Sequence, residues 1–429
     1  MKHIIRLAVL VTVIFSRVCA QEDRIALHLE EGKSGAIWDL VFSSDGKMLW
    51  SCGRDSTVKA WNFENGEAVL SLRAPHATLV TSLALSPDDA LVAAGDMNGH
   101  ILIWEAASGA LLHDIAAHKR YISDIAFTPD GRTIAACGRD DTLSLWDAST
   151  GRELRRIAAG CVWVNALSVS HDGSLLATAG QDGSVKVWDL AGGSLVRVLG
   201  RHRRFARTVL FTPDDAVLLS GGRDGSVRAW DVRKGILLQD MPVNIGFPHH
   251  LALDPPGKLL AVSMMNGLLE IWDWGKQTRR ASIPNSYGAM AAAFQPHRPE
   301  RLASAHTDGA VRVWNAQDGT EIVDFVGFSD GQWLTFTPDG YYDCSAFGDR
   351  YVQWRKGEEL YPLARYQALY KQPSVIEDAL AGTYTPERRL ERIADPPLAS
   401  ILAPRDGQLF AFGTEPLEVI VEARAWDVR

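Results

Sequence analysis

The sequence predicts an all-β protein assembled from seven copies of one four-stranded unit. Three observations predict it. Trp61, Trp104, Trp146, Trp188, Trp230, Trp272 and Trp314 recur 43 residues apart once and 42 apart thereafter. An acidic or amide residue stands six places before each: Asp55, Asn98, Asp140, Asp182, Asp224, Asn266 and Asp308. An apolar residue stands nineteen places before the first six (Phe42, Leu85, Phe127, Val169, Phe211, Leu253), and Phe294 stands twenty before Trp314. The fifth repeat shows why these spacings mean strands. Its runs TVLF, AVLLSGG and SVRAW are separated by Thr212-Pro213-Asp214-Asp215 and Arg223-Asp224-Gly225. Strand side chains alternate faces, and Pro, Asp and Gly clusters mark hairpin turns.

A period of about 40–45 residues, four strands per unit and a Trp-Asp ending are the marks of WD-repeat propeller blades. Over roughly residues 25–326 the chain resembles that family. The resemblance implies a β-propeller of seven regular blades. His202, Ser220, Asp224 and Trp230 fall where the family places a hydrogen-bonded His–Ser–Asp–Trp network that ties one blade together. In this reading only the fifth repeat has all four. Repeats two and three keep His76 and His118 but put Ala94 and Ala136 at the Ser position, while Lys33 and Gly160 replace the His in repeats one and four.

Taken in order, residues 1–20 have the pattern of a secretory leader: Lys2 and Arg6, the apolar run Leu7 to Phe15, and Val18-Cys19-Ala20 before Gln21. That run is too short to span a bilayer, and cleavage after Ala20 places the chain in the periplasm or outside the cell. Ile25–Leu29 is expected to complete the last blade and close the ring, since closure removes exposed strand edges. Beyond Trp314 the stretch 331–358 is a degenerate eighth repeat or a capping motif, with Trp354 lying 40 residues past Trp314. Residues 360–382 switch to helical spacing, with Leu363, Tyr366 and Tyr370 on one side. Pro373 interrupts, Ser374 and Glu377 form a capping box, and Gly382 ends the segment.

The pieces GQWLTFTPDGYYD, GDRYVQWR and Tyr370…Pro373…Val375-Ile376 resemble a segment of bacterial proteins that join WD-repeat propellers to caspase-like cysteine peptidases. ILAPRDG and LEVIVEARAWDV resemble the start of the immunoglobulin-like spacer that can follow. The organisation expected is a leader at 1–20, a propeller at 21–330, the capping motif at 331–358, a helical segment and linker at 359–395, and an incomplete immunoglobulin-like β spacer at 396–429. A sandwich needs about seven strands and the tail offers one. Cys344 lies inside the propeller-like motif, and no His-Gly and Cys peptidase constellation is present. This resemblance implies a sensing or regulatory fragment whose catalytic domain is missing from the chain.

The composition of 429 residues, 46% apolar and 22% charged, is that of a globular protein. A net charge of −8 argues against nucleic acid, which selects a basic face. No catalytic, cofactor or metal motif is found: there is no glycine-rich phosphate loop, no GxSxG elbow and no calcium loop. His249-His250 lacks a third ligand. Cys52, Cys137, Cys161 and Cys344 read as free, buried thiols.

What remains is the top face of the ring, which the resemblance implies binds partners through three positions per repeat. The residue before the Asp supplies Arg54, Arg139 and Arg223. The residue six before the first-strand anchor supplies Tyr121, Trp163, Phe205 and Phe247. The residue four before it supplies Trp38, Arg207 and His249. Arg with aromatics is the composition enriched in interface hot spots. The expectation is a non-enzymatic scaffold that docks an acidic protein or peptide, with no cofactor. A small-ligand or enzymatic role would need polar side chains converging on the ring axis, which the repeats do not show.

Overall fold

The computed structural model describes residues 25–29, 35–243, 246–284, 287–356, 359–363 and 367–384. The leader expected at 1–20 and the spacer expected at 396–429 lie outside them. Each repeat folds as one antiparallel sheet whose strands follow chain order. Blades 1 to 6 span 37–73, 80–116, 122–158, 164–201, 206–242 and 248–284. Blade 7 begins at residue 289 and carries six strands, ending with Trp333–Phe336 and Tyr342–Cys344. The first strand of every blade lies against the first strand of the next, and that of blade 7 against that of blade 1. Among the described residues the ring therefore has seven blades. No described helix is long and apolar enough to cross a membrane.

Every innermost strand is bulged at the same place. In blade 1 Ile37 opposes Gly53 while Asp39 opposes Cys52, so Trp38 is the extra residue. Thr81, Ser123, Asn165, Arg207, His249 and Met290 are the extra residues of blades 2 to 7. A bulge re-aims side chains out of strict alternation. Here the bulged residue can reach the backbone of the following blade. Thr81 donates to Ile122 O at 2.7 Å, Asn165 to Ala206 O at 2.8 Å, and His249 Nδ1 to Met290 O at 2.7 Å. In blades 1 and 3 the residue after the bulge makes the link instead. Asp39 accepts the Leu83 N–H at 2.8 Å and Asp124 accepts that of Leu167 at 2.9 Å.

The apolar cores are seams between blades rather than blade interiors. Trp50, Val58 and Ala60 of blade 1 pack with Val80, Leu83 and Val92 of blade 2, and analogous clusters repeat around the ring. The seam of blades 7 and 1 is different. Ile37, Trp61, Val311 and Phe325 are joined there by Ile376, Ala379 and Leu380 of the helix Pro373–Ala381. Gln295 Nε2 donates to Gly46 O at 2.8 Å, and Thr335 donates to Gly66 O at 2.6 Å across the same seam.

Three sequence expectations are corrected. Ile25–Leu29 does not complete blade 7; it pairs with Val352–Lys356 in a separate three-stranded sheet. The reason is that Glu321–Gly327 already occupies the fourth place of blade 7, and Trp333–Phe336 pairs on its outer side. The helical spacing from 360 gives way to a strand, Glu359–Pro362, because the neighbouring strand Val352–Lys356 offers it a hydrogen-bonding partner. Among the described residues of this stretch, α-helix is confined to Gln367–Tyr370 and Pro373–Ala381. Finally, Pro373 begins the second helix instead of interrupting one. It stands in the first turn after Gln372, with no side-chain cap, so the Ser374–Glu377 box is not used. Proline's fixed φ suits that first position. Gly382 ends the helix in the left-handed conformation, as its lack of Cβ allows.

The His–Ser–Asp–Trp network forms in blade 5 as expected. His202 Nδ1 is 2.9 Å from Asp224, its Nε2 is 2.8 Å from Ser220 Oγ, and Trp230 donates to the same hydroxyl at 2.8 Å. Burial holds the His202 pKa below its ordinary value against the pull of Asp224. A neutral imidazole then donates at Nδ1 and accepts at Nε2, which satisfies every member. The fifth repeat is not alone, however. In blade 3 Ser144, from the third strand, replaces the absent hydroxyl at Ala136. It lies 2.8 Å from His118 Nε2 and accepts from Trp146 at 2.7 Å. The periodic alignment missed it because the hydroxyl reaches the same point in space from a different strand.

Three predictions follow from these contacts. Ser144→Ala should cost about as much as Ser220→Ala, roughly 1–3 kcal/mol, since each leaves a buried His and Trp without a partner. Urea unfolding midpoints would show it, and a neutral Ser144→Ala would refute the substituted network. Ile376→Ala should lower stability by about 2–4 kcal/mol, because its side chain is fully buried in the seam of blades 7 and 1. A melting temperature unchanged by that substitution would exclude the helix as a clasp. Burial, reinforced by the charge of Asp124, pushes the Asp39 pKa up to about 7, and burial pushes that of Asp124 up to about 6. Between pH 4 and 7 the folded ring retains protons that the unfolded chain, with carboxyls near 3.8, has released. Stability should therefore fall as pH rises through that window, by up to roughly 3 kcal/mol per group, since both residues keep partial exposure that screens the burial penalty. An Asp39→Asn/Asp124→Asn double variant should show a flatter profile; parallel curves would contradict it.

Candidate interaction face

The turns that join second to third strands and the segments that enter the innermost strands meet at one rim of the ring. Backbone bonds fasten them in pairs. Arg139 N–H donates to Tyr121 O at 3.1 Å, Gln181 to Trp163 O at 2.8 Å and Arg223 to Phe205 O at 2.8 Å. Arg54 does the same to Ala36 O at 2.8 Å. Two of the three positions read from the sequence are thus neighbours in every one of these blades.

The pairing brings arginines over aromatic rings and across blade seams. Arg139 Cζ lies 4.5 Å from the ring centroid of Tyr121 in its own blade and 4.9 Å from that of Trp163, which precedes blade 4. Arg223 repeats the arrangement at 5.7 Å from Phe205 and 5.6 Å from Phe247, which precedes blade 6. Such contacts are worth about 0.5–1 kcal/mol each when exposed. The rings stay accessible: Phe205 is 36% and Phe247 40% exposed. Arg54, Arg139 and Arg223 are exposed, while Tyr121, Trp163 and Trp38 are partly buried.

The third position does other work. Trp38, Arg207 and His249 are bulge residues of innermost strands, deeper than the rim pairs. Arg207 Nη2 donates to His249 Nε2 at 2.7 Å while His249 Nδ1 donates to Met290 O. Burial, with the Arg207 charge second, holds the His249 pKa well below its usual range, so the imidazole is neutral and can accept. Burial also lowers the Arg207 pKa. Tyr121 opposes that shift, while the charges of Arg139 and Arg223 add to it, which places Arg207 within electrostatic reach of both. Polar groups do converge on the innermost strands, contrary to the sequence expectation. Asp39, Asp124, Arg207 and His249 are nonetheless engaged in bonds to the next blade.

Exposed apolar residues outside the chosen set also line this rim. Met97 and Met265 occupy the arginine position in blades 2 and 6 and are 43% and 55% exposed. Val162 is 64% exposed, with φ at +73° in a turn closed by Trp163 N–H to Cys161 O at 3.0 Å. A β-branched residue at positive φ is strained by about 1–3 kcal/mol and leaves no sequence signal. The four described cysteines are free and buried, as read from the sequence.

Residues 26–62, 66–105, 109–147, 152–189 and 193–231 match the family described as WD domain, G-beta repeat. Apoptotic protease-activating factor 1 of Rattus norvegicus is 38% identical over 79 residues, 18% of this chain and 6% of that protein. WD repeat, SAM and U-box domain-containing protein 1 of Danio rerio is 34% identical over 70 residues, 16% of this chain and 14% of that protein. Ribosome biogenesis protein ytm1 of Schizosaccharomyces pombe is 34% identical over 87 residues, 20% of this chain and 19% of that protein. The chain thus spans less than a fifth of each of these relatives. With five matched repeats and a closed ring of seven antiparallel blades, the chain belongs to the WD-repeat β-propeller family.

Proposed function

We propose that the chain is a non-catalytic scaffold, met outside the cytoplasm, that docks an acidic protein or peptide on the rim built from Tyr121, Arg139, Trp163, Phe205, Arg223 and Phe247. The observation that carries this reading is the pair of arginines held between aromatic rings across the seams of blades 3/4 and 5/6. A guanidinium held by ring faces keeps in-plane N–H donors for a carboxylate, and its planar fork loses less freedom per bond formed. The half-exposed rings beside it supply apolar area, with Met97, Val162 and Met265 extending it. Arg207 and His249 set the floor beneath, and Trp38 and Arg54 extend the face toward blade 1. The leader pattern of residues 1–20 supports the location.

The test is capture from the exported fraction with the chain from Gln21 onward. The Trp163→Ala/Phe205→Ala variant should weaken capture by about tenfold or more, as expected for hot-spot aromatics. Arg139→Glu/Arg223→Glu should abolish it for an acidic partner. Equal capture by parent and variants, with melting temperatures unchanged, would reject this face.

A further inference from the structure

Blade 2 departs from blades 3 and 5 at three places at once. Asn98 stands where blades 3 and 5 have Asp140 and Asp224, and Ala94 and Leu102 leave no hydroxyl for a His–Ser–Trp chain. His100 stands where Thr57, Thr142, Ser184 and Ser226 bond the turn aspartate in blades 1, 3, 4 and 5. His76 is thereby released from the buried role of His118 and His202, whose side chains are 0% exposed, and its own is 42% exposed. It sits in a turn closed by Ala77 N–H to Ala74 O at 3.1 Å, with Ala77 at φ +48°.

These departures meet at one carboxylate. The strands His100–Glu105 and Leu111–Ala116 pair with His100 opposite Ala116 and Asp114 opposite Leu102, so His100 and Asp114 share a sheet face as diagonal neighbours. Asp114 Oδ2 is 2.8 Å from His76 Nε2, and its Oδ1 is 2.6 Å from His100 Nδ1. The imidazole centroids are 4.6 Å apart, and one ligand atom from each residue falls within 4.8 Å of the others. His171 and Asp215 show the ordinary alternative, one imidazole on one carboxylate.

We propose that His76, His100 and Asp114 form a zinc site on the outer side of blade 2. Two imidazole nitrogens and a carboxylate are a borderline ligand set that suits zinc, with the fourth tetrahedral place open to water or to a ligand from a partner. At metal–nitrogen distances of about 2.0–2.1 Å, tetrahedral ligand atoms stand about 3.3 Å apart. A turn of the exposed His76 ring supplies the contraction. On metal entry the two nitrogens facing Asp114 give up that hydrogen, by tautomer exchange in a neutral ring or by proton release from an imidazolium, so affinity falls with falling pH. The site shares no residue with the arginine–aromatic rim and does not depend on that reading.

The test is isothermal titration of zinc chloride into the full chain after chelator treatment. One equivalent of zinc should bind at pH 7.5. His76→Ala, His100→Ala and the near-isosteric Asp114→Asn should each weaken binding by about tenfold or more. His171→Ala should leave it unchanged, and chelated melting temperatures should stay close to the parent's. The described thiols are buried and do not compete. No uptake by the parent, or uptake equal in parent and folded Asp114→Asn, would overturn the site and leave hydrogen-bonded His–carboxylate pairs only.

Discussion

The bulge in each innermost strand is the feature on which the ring depends. Seven sheets arranged radially touch only along narrow seams, and the innermost strands carry polar backbone toward the axis. Buried backbone groups must be paired. A regular strand would turn every second side chain away from the neighbouring blade. The extra residue breaks that alternation and lets consecutive side chains serve the next blade, as Asn165 does for Ala206 O and Asp124 for the Leu167 N–H. The same device sets Arg207 and His249 beneath the rim, so the floor of the rim is made of blade-to-blade bonds.

Stability in such a ring is a sum over seams, because each blade contacts its neighbours and each apolar cluster bridges two blades. The seam of blades 7 and 1 joins segments far apart in sequence and carries the largest entropic cost of closure. It is also where the chain adds most material. Two extra strands widen blade 7, Thr335 reaches the Gly66 turn, and the helix Pro373–Ala381 buries Ile376, Ala379 and Leu380 in the joint. A return of the first strand into the last blade is therefore not how this ring is closed. Ile25–Leu29 and Val352–Lys356 instead pair, with Glu359–Pro362, in a small sheet of their own.

The rim shows how ring-holding bonds and exposed side chains divide along one strand. Residues entering the innermost strand, such as Phe205, are bonded through their backbone and leave their rings accessible. Two residues further on, Arg207 is drawn into the neighbouring blade. Blade 2 shows the converse: once the aspartate and hydroxyls of its network are replaced, His76 moves from the interior to the outer side.

Period and strand pattern were legible from the chain alone, because they depend on spacing within one repeat; the rim positions came from the resemblance to WD-repeat proteins. Trp61 to Trp314 mark the third strands, and the one-residue offset between Arg139 and Asp140 already places an arginine beside a turn. Groups that depend on which strand reaches a point in space were not legible: Ser144 standing in for a hydroxyl at Ala136, and Asp114 meeting two histidines from separate segments. Nor was the partner of Ile25–Leu29, since a strand's pattern specifies its faces and not which edge is vacant. Local periodicity is written into the order of residues. The choice among edges and partners is made by long-range packing, and only the closed ring decides it.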